Sequence, residues 1–95
     1  MNESLNPITL TARQRELCRH ALGLDGRNKT QYRNHFVVGE GCDDYVDWAD
    51  MVLQGYANFY PPREISGCMA VFSVKRDVAL FVRKRDEHLG ADFRE

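Results

Sequence analysis

Apolar residues recur along this chain at two periods, and the period changes near Gly55. Before it the spacing is three and four. Leu17, Cys18, Ala21 and Leu22 share one helical face, and Arg13, Arg15 and Arg19 fall mainly on the other. Thr11 and Gln14 stand at capping-box spacing, and Gly23 occupies the position where a left-handed residue closes a helix, so a first helix is predicted between them. Asp25 and Gly26 signal a turn. Asn28 or Thr30 can cap a short second helix over residues 31–36, with Tyr32 and Phe36 four apart on one face. Val37 and Val38 fit either the end of that helix or the start of an extended segment, and Gly39 and Gly41 interrupt what precedes them.

The third helix has the clearest two-sided pattern. Asp43 or Asp44 is expected to cap it and Gly55 to end it. At about 100° per residue, Tyr45, Trp48, Ala49 and Val52 fall in one sector and Asp43, Asp47 and Asp50 almost opposite, giving an aromatic inner face and an acidic outer one. After Gly55 the chain turns to strand formers. Residues 56–60 and 68–74 read as the two strands of a hairpin. Pro61, Pro62, Ser66 and Gly67 bracket the wing-like loop between them. A last helix is expected from about Lys75 to His88, with Val78, Phe81 and Val82 inward and Gly90 as its stop. Tyr45, Trp48, Val52, Phe72, Val78 and Phe81 are expected to share one core. Residues 1–9 and 91–95 are expected to be flexible ends.

Helix, helix, helix, hairpin, helix is the order of a small winged-helix-like α+β domain, and a single such domain accounts for residues 1–95. Residues 44–54 fall where such a domain carries its DNA-reading helix. Met51, Val52 and Gly55, then the hairpin, then Phe72 and Val74 resemble the second half of many bacterial winged-helix proteins. A longer resemblance rests on the run Leu10–Leu24, on Tyr32–Gly39, and on Trp48, Met51, Val52 and Gly55. These blocks are similar to a group of small proteins encoded by phages and prophages of Proteobacteria. The chain departs from that group's pattern at Lys75–Val78, where Thr-x-x-Gly is usual. The resemblance implies a bacterial cytoplasm as setting and carries over no catalytic residue.

Charge changes this picture. A helix that meets phosphates is basic, yet no lysine or arginine stands between Arg33 and Arg63. Glu40, Asp43, Asp44, Asp47 and Asp50 occupy that stretch instead. Residues 11–35 hold six bases and two acids, so the overall charge of −1 sums a basic region and an acidic one. Two working surfaces follow as candidates. One is the acidic set, as a contact for a basic protein partner. The other is Arg13, Arg15, Arg19, Arg27, Lys29, Tyr32 and Arg33, as a nucleic-acid contact.

Motifs of catalysis are missing. Cys18, Cys42 and Cys68 have no metal or disulfide spacing, and His20, His35 and His88 form no ligand pattern. Cys42 follows Gly41 at a helix start, which favours a thiolate, but Asp43 and Asp44 beside it oppose that. No phosphate loop, nucleophile elbow or zinc-protease motif occurs. No cofactor and no metal are expected. The first residues lack a charged and apolar leader pattern, and no apolar run reaches membrane-spanning length. The resulting expectation is a phage accessory protein, not an enzyme, that inhibits a host nucleic-acid-handling defence complex in the manner of an anti-CRISPR. Its acidic helix face would bind a host protein or ribonucleoprotein. The alternative is a small DNA- or RNA-binding regulator using the basic N-terminal helices and the wing.

Overall fold

A computed structural model describes residues 8–64, 67 and 69–90. The order is α1 (Ala12–Leu22), β1 (Phe36–Val38), α2 (Asp43–Leu53), β2 (Ala57–Tyr60), β3 (Ala70–Val74) and α3 (Arg76–Val82). It is a small α+β domain of three helices and one antiparallel sheet with strand order β1-β3-β2.

The first helix forms as its caps require. The Thr11 hydroxyl accepts from the Gln14 amide and the Gln14 side chain accepts from the Thr11 amide, both at 3.0 Å. Gly23 closes the helix at φ 81°, its N–H donating to the carbonyls of Arg19 and His20. The Tyr32 ring lies against this glycine, where an added Cβ would meet it at 2.3 Å. Leu17, Cys18, Ala21 and Leu22 are buried, as their spacing predicts.

In the sheet, Phe36 is paired with Phe72, and Phe72 with Phe59, so three phenylalanines form a row across three strands. α2 lies over this row. Trp48 stacks on Phe72 at 5.5 Å and tilts over Phe36 at 5.4 Å, while Tyr45 meets Phe72 edge-on. Trp48, Met51, Phe72 and Val74 are the heart of the core.

Several expectations are corrected. Residues 31–36 are not helical. Their backbone bonds run to neighbours: Gln31 N–H donates to His88 O at 2.8 Å, and His35 N–H to Ala21 O at 3.2 Å. Asn34 brackets the Val74 backbone with its side-chain amide, and Val37 and Val38 continue as β1. A six-residue helix is too short to offset its nucleation cost, so these tertiary partners decide the outcome. The cap of α2 is Cys42, without a side-chain cap bond, and Asp43 and Asp44 lie in the first turn, where the helix dipole favours acids.

The last helix is also shorter than expected. It stops at Val82, because Arg83 turns extended and the Glu87 carboxylate accepts the Lys84 N–H at 2.7 Å. Gly90 therefore serves another purpose: its N–H meets Gln31 Oε1 at 2.6 Å, and an added Cβ would lie 2.5 Å from Gln31 O. Phe81 is not in the core. It stays 45% exposed beneath the Arg15 guanidinium, and Ala79 and Val82 are buried with Val78 instead. Ile8 packs on the core and Thr9 N–H donates to the Tyr56 hydroxyl at 3.0 Å. The expected flexible ends at 1–7 and 91–95, and the strand position of Cys68, lie outside the described residues.

Candidate functional site

α2 carries its acids on two sides. Asp44 and Asp47 turn toward α1, where one guanidinium serves both: Arg13 Nη2 pairs with Asp44, and Arg13 Nε with Asp47 at 2.9 Å. Gln14 Nε2 donates to Asp50 Oδ2 at 2.8 Å and Gln54 Nε2 to the same oxygen at 3.2 Å. The acidic set is thus a seam against the first helix as well as an outer stripe. Both partners of the Arg13 pairs keep solvent access, so these contacts fix the α1–α2 register more than they add stability. Glu40, Asp43 and Asp50 remain exposed.

The outermost face of α2 differs from its sequence reading. Val46 and Leu53 stand 69% and 86% exposed beside the exposed carboxylates of Asp43 and Asp50. The face is therefore apolar and acidic together. Beside it, Phe59 ends the phenylalanine row 42% exposed. α2 leaves Phe59 partly uncovered, and an apolar groove of about 300 Å³ opens between them. Val46, Leu53 and Phe59 were missed from sequence. Val46 and Leu53 could have been found, since a helical projection sets them next to Asp50 and away from Trp48. Phe59 could not, because its exposure depends on where α2 crosses the sheet.

The basic set does not converge on one patch. Arg13 belongs to the acidic seam. Arg15 lies over the Phe81 ring at 5.7 Å. Arg19 is buried, bound at both guanidinium ends by Glu87 at 2.6 and 2.8 Å, and also donates to Val82 O. Lys29 pairs with Asp86 at 3.1 Å, which lowers the Asp86 pKa. Arg33 donates to His20 O at the end of α1 at 2.8 Å and lies over the Tyr32 ring. Arg27 is exposed in the turn whose Asp25 carboxylate accepts from the Arg27 and Asn28 amides. Those two backbone bonds lower the Asp25 pKa.

Cys18 is buried against Met51, and burial pushes its thiol up to about 12, so it stays protonated at neutral pH. Cys42 is exposed at the start of α2. Among the described residues no group of three His, Cys, Asp or Glu side chains could hold a metal ion. A cleft of about 460 Å³ beside α1 is lined by Arg13, Glu16, His20 and Asp44 over an apolar floor. Its charges are mixed, and Arg13 and Asp44 pair with each other. Among the described residues no helix is long and apolar enough to cross a membrane. Comparison with family models, with curated proteins and with solved structures finds no match.

Proposed function

We propose that this chain is a protein-binding module whose contact face is the outer side of α2. The observation that carries the reading is the composition of that face: Asp43, Val46, Asp50 and Leu53 project from it, and α2 holds no base. Exposed acids of one sign repel a phosphate backbone and attract a basic partner. Exposed apolar side chains among them suit a surface that is covered by protein. Four of the cations that a nucleic-acid reading requires have partners within the chain: Arg13, Arg19, Lys29 and Arg33.

A winged-helix ancestry supports the same reading. α2 is followed by the β2–β3 hairpin, and β1 joins the far edge of β3. The extended segment where a winged helix has its second helix is the departure. In this reading a DNA-reading scaffold has lost its basic helix and kept its exposed presentation. The resemblance to phage and prophage proteins supports a bacterial cytoplasm as its setting and an accessory role. A basic nucleic-acid channel of a host defence complex is the partner that an acidic helix fits best. The carboxylates would stand where phosphates bind, in the manner of an anti-CRISPR.

Affinity capture from bacterial lysate tests this. A protein retained equally with and without nuclease treatment supports the reading. Retention of nucleic acid alone, or of protein lost on nuclease treatment, overturns it.

A further inference from the structure

The groove beside Phe59 has a definite chemistry. Tyr45, Ala49, Val52 and Leu53 of α2 form one wall and Phe59 and Phe72 the other, and all six are apolar or aromatic. Its volume of about 300 Å³ is at the small end for ligand pockets, so it suits one or two side chains better than a folded surface. On α2 the next positions outward are Val46, then Asp43 and Asp50. The groove is thus an apolar slot with a carboxylate ridge along one side.

That pairing selects among occupants. A phosphate-bearing surface, whether lipid or nucleic acid, would meet the ridge with like charge. A second copy of this chain, in the two-fold arrangement common for dimers, would set one acidic ridge near the other. Strand addition is limited, because Pro61 and Pro62 follow β2 directly and have no N–H to offer an incoming strand. A segment that inserts a side chain and places cations over the ridge satisfies both walls. Resting on the reading of α2 as a protein-contact face, we infer that the slot takes one large apolar anchor residue of a partner protein. Lysine or arginine flanks this anchor and sits over Asp43 and Asp50. Anchors of this kind, seated in a desolvated pocket, carry most of the energy of small interfaces.

The test uses three synthetic peptides on the intact chain. The first has a central phenylalanine flanked by leucine and lysine, the second replaces its lysines with glutamate, and the third replaces its phenylalanine with alanine. Binding is followed by fluorescence anisotropy, and its location by backbone amide NMR. The first peptide is expected to bind and to shift the amides of Ala49, Leu53 and Phe59, with the other two weaker by about tenfold or more, a difference of about 1.4 kcal/mol or more. Ala49→Trp fills the slot and is expected to abolish binding. Leu53→Lys, at an exposed position of the groove wall, removes apolar lining and repels the lysine flanks; it is expected to weaken the first peptide similarly and keeps the test decisive if the tryptophan variant fails to fold. Equal binding of the lysine and glutamate peptides, amide shifts elsewhere, or no binding up to about 1 mM, the weakest affinity worth assigning, would overturn the inference. The functional reading fails separately. If lysate capture yields no protein while the lysine peptide enters the slot, the slot stands and the reading of the chain's role falls. If a protein is captured equally by wild type, Ala49→Trp and Leu53→Lys, the role stands and the slot falls.

Discussion

Arg19 and Glu87, 68 residues apart in sequence, meet in a buried two-pronged ion pair at 2.6 and 2.8 Å. Arg19 is on the first helix and Glu87 beyond the last, so the pair fastens the end of the described chain to its start. Glu87 is fully buried, and its second task is to accept the Lys84 N–H, which shapes the turn after α3. Removing one member leaves the other charged and without its partner in the interior. Glu87→Gln is therefore expected to lower stability by ~3–5 kcal/mol in urea unfolding at neutral pH.

The same pair sets a pH dependence. The Arg19 guanidinium, opposed by burial, holds the Glu87 carboxyl down at about 2 against an ordinary 4.5. A folded-state pKa below the unfolded one means that the contribution is complete above about 4.5 and is lost as pH falls toward about 2. Urea midpoints measured across that interval are expected to fall steeply for the wild type. Glu87→Gln is expected to flatten the curve, and an unchanged slope would mean that other carboxylates carry it.

Gly23 answers to two demands at once: a positive φ and the Tyr32 ring in the space of its Cβ. Gly23→Ala is expected to destabilise by about 1–3 kcal/mol. In a Tyr32→Ala background the steric part disappears, so the penalty there should shrink to the conformational part. A thermal double-mutant cycle measures the difference.

Trp48 has no exposed surface, stacks on Phe72 and tilts over Phe36. Trp48→Ala is expected to cost ~3–5 kcal/mol through the cavity it leaves. Among the described residues the indole N–H has no hydrogen-bond partner. Trp48→Phe should therefore cost less than its volume suggests, because it also removes an unsatisfied donor. Chemical denaturation of both variants checks the pair.

How far these features were legible in the sequence depends on how local their causes are. Thr11, Gln14 and Gly23 marked α1 because capping is decided within a few residues. The helical period placed Trp48 inward, and β-branched and aromatic runs marked the hairpin. Residues 31–36 were misread because their partners, Ala21, Val74 and His88, are distant in sequence. Arg19 looked like a surface base for the same reason, since nothing near it announces Glu87. The acidic set was legible as a set. Its division between the Arg13 seam and the exposed Asp43 side was not, because it depends on how α1 and α2 pack.

Duplex DNA is expected to bind weakly or not at all at physiological salt. The exposed face of α2 is acidic, and Arg19 is committed to the interior. A gel-shift assay checks this. Sub-micromolar specific binding lost on changing Arg15 and Arg33 would favour the nucleic-acid role instead.

The central claim is that the exposed acids of α2 hold a protein partner. Its most direct test is the affinity of the captured partner for wild type and for the combined variant Glu40→Gln, Asp43→Asn, Asp50→Asn, measured against salt. These side chains are exposed, so the fold should survive their change. The account expects wild-type affinity to fall with added salt over a screening length of ~8–10 Å, and the variant to bind at least about tenfold more weakly with little salt dependence. Unchanged affinity and unchanged salt dependence in the variant would contradict it and leave the acids as a solvated face.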